Sequence, residues 1–232
     1  MKSEARATAL HGQTIVLTGG SSGIGLAIAR QLARKGNTVY SFDLSPFPVR
    51  TAGVHSIVAD LTKSEEVRRG MEQVPCPIHV LVNNAGLMRR GTIFDASEDD
   101  FDTLFSVHVK GAWLMLREAQ AKLSTHALIV QMSSVHALQR SANPGLYTLA
   151  KQTVAQLAEN ISHGYPQYTV KTIFPGPVDT PLARFGVEGE KLHQKEKVMQ
   201  SPESVATTII DFLESTGSRL LYESESRRYM IG

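Results

Sequence analysis

Thr14-Ile15-Val16-Leu17-Thr18-Gly19-Gly20-Ser21-Ser22-Gly23-Ile24-Gly25 reads as an apolar strand that turns through glycines. A helix-periodic run from Leu26 to Arg34 follows directly. A strand that passes through glycines into a helix builds an anion site. The glycines let the backbone approach a pyrophosphate, and the helix start offers free N–H groups and a favourable dipole. The spacing is G-x-x-x-G-x-G, not the commoner G-x-G-x-x-G of dinucleotide sites. Glycines by themselves suit any tight turn. The strand before, the helix after and an acid downstream favour a nucleotide site.

Outward from this stretch, apolar runs alternate with turn signals. Strands are expected at Gln13–Thr18, Thr38–Phe42, His55–Val58, Ile78–Val82, Ala127–Met132 and Thr169–Phe174, with a possible last one at Arg219–Tyr222. Helices are expected at Ile24–Lys35, stopped by Gly36, and at Ser64–Gln73. Another, from Glu98 to Lys122, starts with a Ser97/Asp100 capping box. Two more follow, one at Gly145–Ser162 and one opened by Ser201 as N-cap with Pro202 in the first helical position. Leu182–Val198 is charged and weakly periodic, and reads as a mobile segment. Strand followed by helix, repeatedly, predicts a single-domain α/β fold: a doubly wound parallel sheet with helices on both faces. Its ligand crevice lies beyond the carboxyl ends of the strands. Gly19, Asp43, Asp60, Asn83 and Ser134 all sit at such ends.

The 232 residues, 42% hydrophobic and 20% charged, suffice for one large domain with a buried core. A net charge of +2 without a basic block gives no argument for nucleic acid. No apolar run reaches membrane-spanning length, and residues 1–11 lack the apolar centre of a signal peptide. Those residues read as a short flexible tail before a domain at 12–232, in a soluble cytoplasmic protein. The single cysteine, Cys76, fits a reducing compartment and reads as a small loop residue between Pro75 and Pro77. The eight histidines show no metal-ligand spacing.

Asp43 stands about 20 residues past the glycine loop, where an acid accepts from a ribose 2′-hydroxyl and repels a 2′-phosphate. No Arg or Lys stands among Ser21, Ser22, Leu44 and Ser45, so NAD(H) is expected over NADP(H). Asp43 also suits a simple turn before Pro46. Asp60, with Leu61, is expected beside the adenine or as a cap for the helix after Thr62. Asn83-Asn84-Ala85-Gly86 supplies amides and a flexible turn against the cofactor. Tyr147 and Lys151, four apart, share a helix face. A close ammonium, together with an oxidised nicotinamide, would favour phenolate, so that Tyr147 exchanges a proton with an alcohol or carbonyl oxygen. Ser134 is placed to hold that same oxygen.

Taken together, Thr18-Gly-Gly-Ser-Ser-Gly-Ile-Gly25, Asn83-Asn-Ala-Gly86, Ser134 and Tyr147-x-x-x-Lys151 resemble the short-chain dehydrogenase/reductase family in order and spacing. Pro175-Gly-Pro-Val-Asp-Thr180 is similar to that family's segment beside the nicotinamide, and the resemblance spans residues 12 to 222. It implies a Rossmann fold and an NAD(P)-dependent enzyme acting on CH–OH or C=O groups. Gly19, Ser22, Gly23, Ile24 and Gly25 would surround the pyrophosphate. Asp43, Asp60 and Leu61 would hold the adenosine end, and Asn83, Ala85 and Gly86 the cofactor-side turn. Tyr147 would be the general acid/base, Ser134 the oxygen donor and Lys151 the ribose ligand that tunes Tyr147. Pro175, Val178 and Thr180 would meet the nicotinamide.

Two departures stand out. His108 occupies the family's catalytic asparagine position, where it keeps the backbone carbonyl and either shuttles protons or simply packs under the cofactor. Glu223–Gly232 differs from the usual ending, which bears on the expected homodimer or homotetramer; Trp113, Leu116 and Leu157 offer another contact face or ordinary core packing. The substrate pocket is expected near Leu87, Met88, Arg89, His136, Gln139, Arg140 and Leu182, with the basic residues suiting an anionic or polyhydroxylated small molecule. The main alternative is a dinucleotide-sensing protein without turnover. A lyase or epimerase on the same fold is a third reading.

Overall fold

The computed structural model describes residues 10–139 and 143–232. Its strands are β1 (Thr14–Thr18), β2 (Thr38–Asp43), β3 (Val54–Val58), β4 (Ile78–Asn83), β5 (Leu123–Met132), β6 (Thr169–Phe174), β7 (Arg219–Glu223) and β8 (Arg228–Ile231). Its helices are α1 (Gly23–Arg34), α2 (Ser64–Glu72), α3 (Glu98–Phe105), α4 (Ala112–Ala119), α5 (Gly145–Gly164), α6 (Pro181–Arg184), α7 (Gly189–Glu196) and α8 (Pro202–Leu213). The strands form one sheet in the order β3-β2-β1-β4-β5-β6-β7-β8, parallel from β3 to β7. The order reverses between β1 and β4, which opens a crevice at their carboxyl ends.

Alternation within β1 assigns the two layers. Ile15 and Leu17 face one side, where Ala27, Ile28 and Leu32 of α1 pack with Val205, Ile209 and Phe212 of α8. Val16 faces the other, among Phe42, Ile57, Val67, Met71, Leu114 and Met115. Every one of these side chains is under 5% exposed. At about 25 cal/mol per Å² of apolar surface removed from water, this double-sided burial is the dominant stabilising contribution. The expected doubly wound sheet is what the strands build.

The helix starts follow their capping residues. Ser97 Oγ accepts from Asp100 N at 3.1 Å while Asp100 Oδ2 accepts from Ser97 N, and Ser201 Oγ accepts from Ser204 N at 3.2 Å ahead of Pro202. Four features differ from the sequence expectation. The helix expected over Glu98–Lys122 is broken by a π-helical turn at Ser106–Gly111, where His108 faces inward and Gly111 lies close to Leu61. Strand β5 begins at Leu123, ahead of Ala127, because exposed Thr125 and His126 hide the pattern. The segment after Leu182 carries the short helix α7. The stretch after Tyr222 turns at Arg227 (φ 55°) and returns as β8, antiparallel to β7.

Leu10, which the expected tail includes, packs against the domain: it is buried in the α1/α8 layer and its N–H donates to Glu214 Oε1 at 3.1 Å; residues 1–9 of the expected tail lie outside the described residues. Asn37 organises this end of the sheet. Its Nδ2 donates to the carbonyls of Leu10 (3.0 Å) and Leu32 (2.9 Å), and its Oδ1 accepts from Gln13 N (3.0 Å). Cys76 is exposed in the loop that leads into β4.

Asn37→Leu removes all three bonds and strands the Leu10 carbonyl and the Gln13 N–H, while the Leu32 carbonyl keeps the residue 37 backbone N–H. It is expected to lower unfolding free energy by about 2–4 kcal/mol, seen as a lower urea midpoint at unchanged slope. An unshifted midpoint would contradict the assignment.

Candidate active site

The glycine loop is folded onto the end of β4. Thr18 Oγ1 accepts from the backbone N–H of Asn84 (2.9 Å) and Ala85 (3.0 Å), and Asn84 Nδ2 donates to the carbonyls of Thr18 (2.9 Å) and Gly19 (3.1 Å). A Cβ at residue 25 would collide with the Gly19 carbonyl, so α1 approaches this clasp only through glycine. Gly19 itself has φ +71°, the left-handed region that favours glycine. At the start of α1, Ser22 is the N-cap but makes no side-chain cap bond, and the first turn holds no acid. The first N–H groups of a 12-residue helix therefore face the crevice without a protein acceptor from the cap.

The crevice is a cleft of about 520 Å³. All of the sequence-predicted site residues line it except Asn83 and His108. Asp43 closes one end, its Oδ2 accepting from Ser21 N (3.0 Å) and its Oδ1 from Ser45 N (3.2 Å). Asp60 combines its two expected roles: it borders the cleft and its Oδ1 accepts from Thr62 N (2.9 Å) and Oγ1 (2.7 Å) ahead of α2. Asn83 is a correction, because its Nδ2 turns away to donate to the Ala112 carbonyl at 3.2 Å. Its neighbours Asn84, Ala85 and Gly86 face the cleft in its place.

At the other end, α5 and the end of β5 bring Ser134, Tyr147 and Lys151 together. The Ser134 hydroxyl accepts from His136 N at 3.2 Å and lies near enough to the Tyr147 hydroxyl to favour its ionised form. Burial pushes the Tyr147 phenol up to about 12, and the influence of Ser134 offsets only part of that. Lys151 Nζ lies 5.9 Å from the Tyr147 ring centroid and donates to the Met132 carbonyl at 2.8 Å. Burial holds that amine down at about 7. The sequence reading expects a lowered phenol from a neighbouring ammonium together with an oxidised nicotinamide; in the protein alone, burial pushes the phenol up and the amine down.

His108 sits beneath the cleft floor. It is 2% exposed, its Nε2 donates to the Leu87 carbonyl at 2.9 Å, and its ring meets Tyr147 edge-on at 5.5 Å. A Cβ on Gly86 would lie 2.5 Å from its Cε1, so the turn above it has room for glycine only. Burial, and then the Lys151 charge, hold its pKa well below the ordinary value. Next to it is a chamber of about 10 Å³ lined by His108, Asn83, Gln131 and Lys151. His108 Nδ1, Asn83 Oδ1 and both polar atoms of the Gln131 side chain are buried there without a protein partner. The chamber is of the size of one water, with the polar lining that a buried water requires.

Of the expected substrate-side residues, Leu87, Met88, His136, Gln139 and Leu182 line the cleft. Arg89 is a correction. It pairs with Asp100 at 3.3 Å and lies over the Phe185 ring, away from the cleft lining. Arg140 lies outside the described residues. Sequence reasoning missed Lys195 and Ser224, both in the lining: Lys195 lies on α7 and Ser224 in the turn from β7 to β8, neither of which a local pattern announced.

Comparison with known proteins agrees with this geometry. The sequence profile of the family described as short chain dehydrogenase matches residues 13–191. Oxidoreductase UcpA of Escherichia coli is 32% identical over 215 residues, covering 85% of this chain and 79% of that protein. The ligand-free aldohexose dehydrogenase of Thermoplasma acidophilum superposes with a TM-score of 0.80 at 25% identity, covering 96% and 97% of the two chains. A blue fluorescent protein from a metagenomic library, solved with NADPH, shares the fold at 24% identity and a TM-score of 0.80, covering 94% and 98%.

A neutral, buried His108 gives a direct spectroscopic expectation. Its Cε1–H resonance, assigned by comparison with His108→Asn, should stay constant between pH 8 and pH 5. A midpoint near 6.5 for His108 would show that the imidazole reaches solvent.

Proposed function

The chain is a member of the short-chain dehydrogenase/reductase family, and from that premise we propose that it is an NAD-dependent enzyme. It would move a hydride between the nicotinamide and a secondary alcohol or ketone, with Tyr147 as general acid/base. The observation that carries this reading is the Ser134–Tyr147 hydroxyl pair opening into the same cleft as the uncapped start of α1.

The residues fit such a cofactor. The free N–H groups of α1 suit a pyrophosphate, Asp43 offers carboxylate oxygens to a ribose diol, and Lys151 lies beside the catalytic hydroxyls. When bound, the cofactor supplies the hydride acceptor or donor. This chain's residues handle the oxygen and its proton. In oxidation, Tyr147 as phenolate takes the alcohol proton while the carbinol carbon gives up its hydride with the bonding pair, leaving a ketone. In reduction, the neutral phenol returns the proton to the forming alkoxide. Ser134 holds that oxygen throughout. With its phenol pushed up to about 12, the free protein is poised as the proton donor.

NAD is favoured over NADP by charge. Asp43, at the end of β2, would meet the adenosine end, and the two lysines in the cleft lining, Lys151 and Lys195, lie on α5 and α7 instead. The sensing alternative rested on His108 and on the unusual final stretch. His108 lies under the cleft and leaves the hydroxyl pair intact, which removes its main support. Homo-oligomerisation is proposed through the α3–α5 side, where Phe101, Trp113 and Leu149 are each more than 40% exposed.

Three outcomes test the reading. Tyr147→Phe should lose about 10²–10⁴-fold in kcat while retaining NADH binding; unchanged turnover would exclude Tyr147 as the acid/base. Because oxidation needs phenolate, its kcat/KM should climb with pH through the neutral and mildly alkaline range, whereas carbonyl reduction, which needs the phenol, should not climb. Asp43→Ala combined with Leu44→Arg should reverse the preference toward NADP(H), measured as the ratio of kcat/KM values. An unaltered ratio would place the ribose elsewhere.

A further inference from the structure

The substrate end of the cleft carries positive charge without acids to balance it. Lys195, on α7, lines the cleft, and its Nζ donates to the Ala183 carbonyl. Arg90 stands behind it, its Nη2 donating to the same carbonyl at 3.3 Å and its Nε to the Phe185 carbonyl at 2.6 Å. Neither cation forms an ion pair among the described residues. The acids on neighbouring elements are engaged elsewhere: Asp100 with Arg89, and Asp179 and Glu196 with Arg184. The acids in the cleft lining, Asp43 and Asp60, are at the adenosine end.

His136 completes the corner. It lines the cleft, its ring stands edge-on to Tyr147 at 5.9 Å, and its Nδ1 is buried without a protein partner. Two half-buried cations converging on one neutral carbonyl repel each other at a cost. Burial holds the pKa of both Lys195 and His136 down, and the neighbouring cations hold it down further. Such an arrangement is relieved by an anion that bridges the cations.

We propose that Lys195 and His136, backed by Arg90, form an anion-binding corner, and that the substrate carries a compact anionic group, a carboxylate or a phosphate ester, beside its reacting carbinol or carbonyl. This rests on the oxidoreductase reading of the cleft and adds the substrate class to it. Lys195 and His136 would touch the anion. Arg90 is a positioning residue that raises the local potential through Lys195.

The test uses binding, so that it stands apart from turnover. NADH is titrated first by its fluorescence; a failure there sinks the oxidoreductase reading and leaves the corner still measurable. Propionate, ethyl phosphate and neutral propionamide are then titrated into the cofactor-free and NADH-loaded protein, following the ring resonances of His136. A saturable shift is expected for at least one anion, at least tenfold tighter than for propionamide. It should weaken at least fivefold in Lys195→Gln, recover in Lys195→Arg and weaken less in Arg90→Gln. NADH affinity should be unchanged in each variant, which also shows that they fold. Tighter propionate identifies a carboxylate substrate, and tighter ethyl phosphate a phosphate ester. Equal binding of propionamide, no saturable shift from either anion, or indifference to Lys195→Gln overturns the proposal.

Discussion

The clasp between β1 and β4 governs the molecule. Thr18 and Asn84 exchange side-chain and backbone hydrogen bonds across the point where strand order reverses. The side-chain amide of Asn84 also reaches the Gly19 carbonyl, so the loop, the strand ends and the start of α1 are held as one unit. Everything that faces the cleft is registered to this point. On one side lies Asp43, tied to Ser21 N. On the other lies the Ala85–Gly86 turn, beneath which His108 is wedged. The glycines are required by this close packing of protein on protein, before any ligand arrives.

Burial is the second governing constraint. Tyr147 and Lys151 are each no more than 5% exposed, and desolvation disfavours the charged form of both. Burial thus works against both the phenolate and the ammonium that the sequence reading pairs. His108 and the polar chamber around Gln131 and Asn83 adjoin the same pair: the chamber touches Lys151, and the His108 ring meets that of Tyr147.

The sequence revealed the sheet, its ligand edge and nearly all of the cleft, because those features are local. Strand ends, glycine turns, caps and a Tyr/Lys pair at helical spacing are each decided within a few residues. What stayed hidden depends on distant partners. No local pattern shows that Asn83 turns to the Ala112 carbonyl and its neighbour faces the cleft, or that Arg89 is captured by Asp100. The π-helical turn is hard to read because Ser106–Gly111 contains no proline to signal a break, and what marks it is the inward-facing His108. Lys195 was concealed because α7 has no buried residue and so no hydrophobic period. Strand β8 needed its partner β7 to make sense of a polar, arginine-rich stretch.

The solitary thiol acquires a use from its position. Cys76 is exposed in the loop before β4, at the amino ends of the parallel strands, whereas the cleft opens at their carboxyl ends. The thickness of the sheet separates the two. A maleimide dye, a spin label or a surface tether attached there would be stoichiometric, since the chain has one cysteine. It would anchor the molecule with its working face directed outward, so that the protein can be immobilised for single-molecule or sensor measurements without an engineered handle.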